Sequence, residues 1–158
     1  RDSHNASTLG AVPMPLLLAT QTEDLQRVLA TNLIGPFALT RAMAGSMLVR
    51  GEGIVANISS DAALERYPQW GSYGASKAAL DHMTRTWAAE LAETPVRFLA
   101  IDPGEMDTAM HAAALPDADP ASLARPEVVA TKIVAMLADA SAAPNGARLR
   151  AAEWEVAS

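Results

Sequence analysis

The sequence predicts a doubly wound α/β domain, a parallel sheet with helices on both faces. Two observations point there. The runs "IVANI" at 54–58 and "VRFLAI" at 96–101 are short, apolar and β-branched, as buried strands are. Between and after them lie long stretches with apolar residues three and four apart. Nearly continuous apolar strands alternating with helices of roughly 15 to 20 residues are the mark of βαβ units. At 158 residues, half of them apolar, the chain is expected to form a single domain over 1–158.

In chain order, residues 1–15 are polar and turn-rich, and read as a loop closed by Pro13 and Pro15. Thr20 and Glu23 fit a capping box. Leu25, Val28, Leu29, Leu33, Phe37 and Met47 then continue as one long helix through Gly35-Pro36. In an unbroken α-helix Pro36 has no N–H for the carbonyl of Asn32. The break therefore either frees that carbonyl for use or is a tolerated kink. "GEG" at 51–53 leads into the first strand. Leu80, Met83, Trp87 and Leu91 form the stripe of a second helix, stopped by Pro95. The Pro- and Asp-rich segment 105–125 reads as a mobile flap with short helical pieces. Pro126 and Glu127 open a third helix, and "ARLRA" at 147–151 fits a last strand.

Composition excludes several classes. The absence of cysteine removes disulfides, thiol nucleophiles and thiolate metal sites, and suits a cytoplasmic location. A formal net charge of −6 argues against nucleic acid or an anionic membrane as partner. No apolar run reaches the ~18 residues of a membrane span, and no signal peptide is visible. The three histidines are scattered, no G-x-S-x-G or HExxH occurs, and no metal is expected.

Ligands of such sheets bind beyond the carboxyl ends of the strands. Ser59-Ser60-Asp61, Pro103-Gly104 and the "HNAS" loop at 4–7 should converge there. Tyr73 and Lys77 stand one helical turn apart on a shared face. An ammonium beside a phenol favours the phenolate, so Lys77 is expected to lower the Tyr73 pKa and make it an acid/base near neutral pH. Such a pair is also common surface decoration, and Tyr67, with Gly71 at the matching position, has no such partner.

The ordered set "IVANISSDAA", "YGASK" and "DPGEMDT" resembles the classical short-chain dehydrogenase/reductase family, from the "HNAS" loop to about residue 137. The resemblance implies a catalytic tetrad of Asn32, Ser60, Tyr73 and Lys77. Tyr73 would exchange a proton with the substrate oxygen while a hydride moves between nicotinamide and a carbonyl or secondary alcohol carbon. Ser60 would orient that oxygen, and Lys77 would bind the nicotinamide ribose. The main chain at Asn32 would hold a water leading from Lys77 to solvent. Pro103, Gly104 and Thr108 match the family's PGxxxT pattern at the nicotinamide. "HNAS" resembles its NNAG loop, with Asn5 and Ala6 as cofactor contacts and Ser7 in place of Gly. Ser59 stands one residue too far from Tyr73 and reads as a loop hydroxyl.

The resemblance also implies NAD or NADP as cofactor and a homodimer or homotetramer through the helices of Asn32 and Tyr73. Trp70, Leu64 and residues 106–115 would shape a pocket for a substrate with a hydrophobic part. The family's TGxxxGxG loop is absent from the sequence, which begins at Arg1. The expectation is a partial Rossmann-like domain, its later strands and helices only, belonging to something longer. The strand at 54–58 would then lie at an exposed edge, with one sheet face poorly covered. The rival reading is a non-catalytic fragment serving as an association module.

Overall fold

The computed structural model describes residues 2–154. Four parallel strands form one sheet in the order β1 (Asp2–His4), β2 (Gly53–Ile58), β3 (Val96–Asp102) and β4 (Arg148–Arg150). The two apolar runs are its centre, paired in register from Gly53 opposite Val96 to Ile58 opposite Ile101. Strand β1 lies where the sequence reads as a loop. Its three residues pair with Val55, Ala56 and Asn57 through the backbone, which leaves no apolar pattern to read. Consequently β2 is an interior strand, and the expectation of an exposed edge at 54–58 is corrected.

Period-two alternation divides the side chains of β2 and β3 between two cores. Val55, Val96 and Phe98 pack on Met47 of α2 (Gly35–Arg50) and on Trp87 and Ala88 of α3 (Gly71–Glu90). On the opposite face, Ala56, Ile58, Leu99 and Ile101 meet Val129, Met136 and Leu137 of α5 (Pro126–Ala138). Helices thus cover both faces of the central pair, and α5 supplies the cover the sequence leaves in doubt. Fully burying a side chain such as Phe98 or Leu99 is worth about 1.5–3 kcal/mol.

The long helix at 20–50 is three pieces. Helix α1 (Thr22–Leu29) widens into a π turn over Ala30–Ile34, in which the Gly35 N–H donates to the Ala30 carbonyl five residues back, and α2 follows. Pro36 thereby falls in the first turn of α2, where a missing N–H is tolerated. The simple loss of one α-helical bond to Asn32 is replaced by a local change of helix type. The capping box is also corrected. Gln21 is the N-cap and uses no side chain, while Thr20 Oγ1 donates back to the Leu16 carbonyl at 3.1 Å.

Helix α3 approaches the turn after β2 closely enough that Gly74 has no room for a side chain. A Cβ there would stand 2.7 Å from the carbonyl oxygen of Ala62, which is backbone and cannot swing away. Gly74→Ala is therefore expected to cost about 1–3 kcal/mol and to lower the urea midpoint accordingly. An unchanged midpoint would show that the turn yields freely.

Candidate active site

Residues 73, 77 and 81 recur one turn apart on α3 and all face inward. Tyr73, Lys77 and Asp81 are buried, an unusual face for a helix to hide. Each has a structural reason to be there. The Lys77 Nζ donates to the Ile58 carbonyl at the end of β2, at 2.8 Å. It also lies over the Tyr73 ring, 5.6 Å from the centroid.

Asp81 receives Arg148 from β4. Arg148 Nε meets Asp81 Oδ2 at 3.0 Å, and Nη2 meets Asp102 Oδ2 at 3.0 Å and the Ser60 carbonyl at 2.8 Å. The other oxygen of Asp102 accepts the Gly104 N–H at 3.0 Å, and Gly104 has the left-handed φ of 75° that glycine adopts without strain. One guanidinium therefore fixes the ends of β2 and β3 and the helix carrying Tyr73.

Asn32 is fully buried and spends its whole amide on the frame. Its Oδ1 accepts from the Thr8 N–H at 2.8 Å and from Ser7 Oγ at 3.3 Å. Its Nδ2 donates to the Thr8 carbonyl at 2.9 Å and to Ser76 Oγ at 3.0 Å, and Ser76 in turn donates to the Tyr73 carbonyl. The 7–8 segment is thus stapled to α3.

Above these groups opens a cavity of about 470 Å³. Ser60, Tyr73 and Lys77 line it, as do Asn5, Pro103, Gly104 and Thr108. Asn32 lies behind the wall, and Ala6 is exposed and away from the cavity. Trp70, Met106, Met110 and Leu115 form the apolar side, whereas Leu64 is 62% exposed and takes no part. Ser59 is buried, lines the cavity beside Ser60, and gives its N–H to the Ile101 carbonyl just past the last β2–β3 pair.

Ser60 and Ser7 line the cavity together with Tyr73. Ser60 also donates to Asp61 Oδ1 at 3.0 Å, and Tyr67 donates to Asp61 Oδ2 at 2.8 Å. Burial pushes the Tyr73 pKa up, the two serine hydroxyls oppose this, and the charges of Asp61 and Asp102 add to the rise. The expected lowering by Lys77 is corrected. The amine sits over the ring and is itself depressed to about 8 by burial, only partly offset by Asp81.

Sequence reasoning missed Asp81 and Arg148, and it placed Ser7 and Asp61 at the strand-end crevice, which both line, without giving either a role. Asp81 alone carried a signal, standing four residues after Lys77 on an otherwise apolar stripe.

A sheet whose strand ends gather two serines, a tyrosine and a lysine around one cavity defines a Rossmann-like doubly wound domain with its site at the carboxyl edge. Residues 4–119 match the short chain dehydrogenase family, and the chain belongs to that family. It is 33% identical over 139 residues to a 3-oxoacyl-acyl-carrier-protein reductase of Thermotoga maritima, covering 83% of this chain and 56% of the relative. It is 34% identical over 107 residues to the 2-(R)-hydroxypropyl-CoM dehydrogenase of Xanthobacter autotrophicus, covering 68% of this chain and 43% of that protein. A short chain dehydrogenase from Shigella flexneri, solved in complex with NADP, superposes with a TM-score of 0.85 at 28% identity, covering 95% of this chain and 62% of its own. The chain spans about half the length of the curated relatives it matches.

The Lys77 amine has a sharp stability signature. Its pKa falls from 10.5 in the unfolded chain to about 8 in the fold, so the unfolded state binds more protons between those values. Stability contributed by this group therefore rises with pH from about 8 to about 10.5 and is flat below. The full change is on the order of 3 kcal/mol. Urea unfolding across that window should show the rise in the parent, and Lys77→Met should abolish it. A parallel rise in Lys77→Met would overturn the assignment.

Proposed function

We propose that this chain carries the acid–base and nicotinamide-end machinery of an NAD- or NADP-dependent oxidoreductase acting on a carbonyl or secondary alcohol. The observation that supports this most directly is that Ser60, Tyr73 and Lys77 line one cavity with Pro103 and Gly104. The family match and the NADP complex of the Shigella flexneri relative support the cofactor.

The residues present fit the nicotinamide and its ribose. A Cβ built on Gly104 meets nothing within 4 Å, so its backbone edge faces open space. Lys77 uses one N–H on Ile58 and has two left for ribose hydroxyls. Thr108 caps α4 (Ala109–Ala114) by accepting the His111 N–H, which leaves its hydroxyl proton for a carboxamide oxygen. Asn5 would lie toward the adenine-side ribose. No GxGxxG occurs in the sequence, so these residues hold one end of the dinucleotide and do not choose between NAD and NADP.

The bound nicotinamide supplies or accepts the hydride. In the reductive direction the hydride adds to the carbonyl carbon and the C=O electron pair moves to oxygen. Ser60 holds that oxygen, and Tyr73 gives it a proton and becomes a phenolate. Lys77, over the Tyr73 ring and bonded to the Ile58 carbonyl, would hold the nicotinamide ribose. Because burial keeps Tyr73 protonated, reduction is expected to hold through neutral pH and alcohol oxidation to rise with pH. Trp70, Met106, Met110 and Leu115 suit a substrate with a hydrophobic part. Residues 105–125 would act as its flap within a single domain over 1–158.

Assembly as a homodimer or homotetramer through the helices of Asn32 and Tyr73 is supported by α2, where Leu39 is 53% and Val49 90% exposed. The same surface favours the rival reading, a non-catalytic association module. The buried amine and hydroxyls beyond the strand ends favour catalysis, since an association module has no use for them.

In the complete protein, Tyr73→Phe should fold, bind cofactor and lose nearly all turnover. Activity within about tenfold of the parent, roughly 1.4 kcal/mol of barrier, would sink the role given to Tyr73. Calorimetric titration of the 158-residue chain alone should find no tight binding of either cofactor. A dissociation constant near 1 μM, about −8.2 kcal/mol, would mean that no Gly-rich cradle is needed. Light scattering at micromolar concentration should show a dimer or larger, and a strict monomer would contradict the assembly.

A further inference from the structure

We infer that Asp61 is a specificity-determining residue of the cavity, one that turns away anionic compounds and selects an apolar carbonyl compound or alcohol with no acidic group near the reacting carbon. This rests on the oxidoreductase reading and narrows its substrate.

Asp61 follows Ser60 directly and opens the short turn Asp61–Ala63 beyond β2, so it lines the cavity beside the reacting groups. Its carboxylate is fixed by three donors. Oδ1 accepts the Ser60 hydroxyl at 3.0 Å and the Ala62 N–H at 2.8 Å, and Oδ2 accepts the Tyr67 hydroxyl at 2.8 Å. Tyr67 is in turn placed against Trp70, ring centroids 6.2 Å apart, and Trp70 against Tyr73 at 5.7 Å, both pairs edge to face. None of the three donors carries a charge, so these bonds hold the carboxylate without cancelling it.

The other charged groups of the lining are differently placed. Asp102 is offset by Arg148 at 3.0 Å. The Glu105 side chain is 68% exposed, where water and salt screen it, and lies 3.6 Å from His111 Nε2. That nitrogen is itself buried and so closed to a ligand. Lys77 is the one ammonium or guanidinium among the described lining residues. It is occupied by the Ile58 carbonyl and the Tyr73 ring, with a ribose still to hold.

A carboxylate, sulfonate or phosphate carried in by a substrate would therefore meet Asp61 with no free cation to offset it. Two like charges a few ångströms apart at an effective dielectric constant of about 20 repel enough for roughly tenfold discrimination or more. The apolar side, with Trp70, Met106, Met110 and Leu115, leaves hydrophobic burial as the main gain on binding.

The test is a fluorescence titration of the chain with two probes that differ by one sulfonate, phenylnaphthylamine and anilinonaphthalene sulfonate. The parent should bind the neutral amine about tenfold more tightly than the sulfonate. Asp61→Asn keeps the size of the side chain and an oxygen for the Tyr67 hydroxyl, and should bring the two affinities within about threefold. Asp61→Glu keeps the charge and should keep most of the difference. Met110→Trp fills the apolar side and should abolish binding of both probes. Equal affinities in the parent would overturn the proposal, as would a ratio unchanged in Asp61→Asn or binding that survives Met110→Trp. In the complete protein a ketone ester should be reduced with about tenfold the kcat/KM of its free acid, the difference lying in KM, and equal values would overturn it. The probes need neither cofactor nor turnover, so their failure is distinct from failure of the oxidoreductase reading, which the turnover of Tyr73→Phe decides.

Discussion

The arrangement of the site depends on one guanidinium. Arg148 reaches from a three-residue strand to carboxylates on α3 and at the end of β3, and to the carbonyl of Ser60. Asp81 and Asp102 are buried, and two carboxylates so close to one cavity would repel each other without a cation between them. Removing one partner from such a buried pair typically costs about 3–5 kcal/mol, because the charge left behind has no water. The same contact sets distances. The Ser60 turn, the Gly104 turn and the Tyr73 helix belong to different elements, and Arg148 bonds the first and third directly and the second through Asp102.

On that frame Tyr73 and Lys77 are tuned by burial more than by charge. Desolvation raises Tyr73 and lowers Lys77, so each is moved toward its neutral form. A neutral phenol is the form that gives a proton away.

The sequence makes legible what local periodicity encodes. The runs at 54–58 and 96–101 are the two central strands, and the stripe from Leu80 to Leu91 is α3, because burial on one side leaves a repeat. The family resemblance singles out Tyr73, Lys77 and Ser60, and the fold brings all three to one cavity. Strand β1 is not legible, since its three residues carry no apolar alternation in the sequence. The π turn is hidden too, because Pro36 signals a break without saying which helix type absorbs it. Arg148 is hidden for a different reason. Its partners lie 46, 67 and 88 residues away, and "ARLRA" read alone is only a short strand with two cations. The direction of the Tyr73 shift was missed because the Tyr–Lys spacing says that the groups are near, not that the amine lies over the ring.

The segment that forms the apolar side of the cavity leaves and rejoins the fold at almost the same point. Asp107 N–H bonds the Ala124 carbonyl at 3.0 Å, Ala124 N–H bonds the Glu105 carbonyl at 3.3 Å, and Met106 and Ala124 form an isolated bridge. A loop already pinched shut at its base exerts no pull on the sheet when its length changes, and doubling such a loop adds only about 0.6 kcal/mol of closure entropy. Residues 107–124 therefore behave as an exchangeable cassette. A change of length beyond Thr108 would leave Ser60, Tyr73 and Lys77, all outside the pinch, where they are.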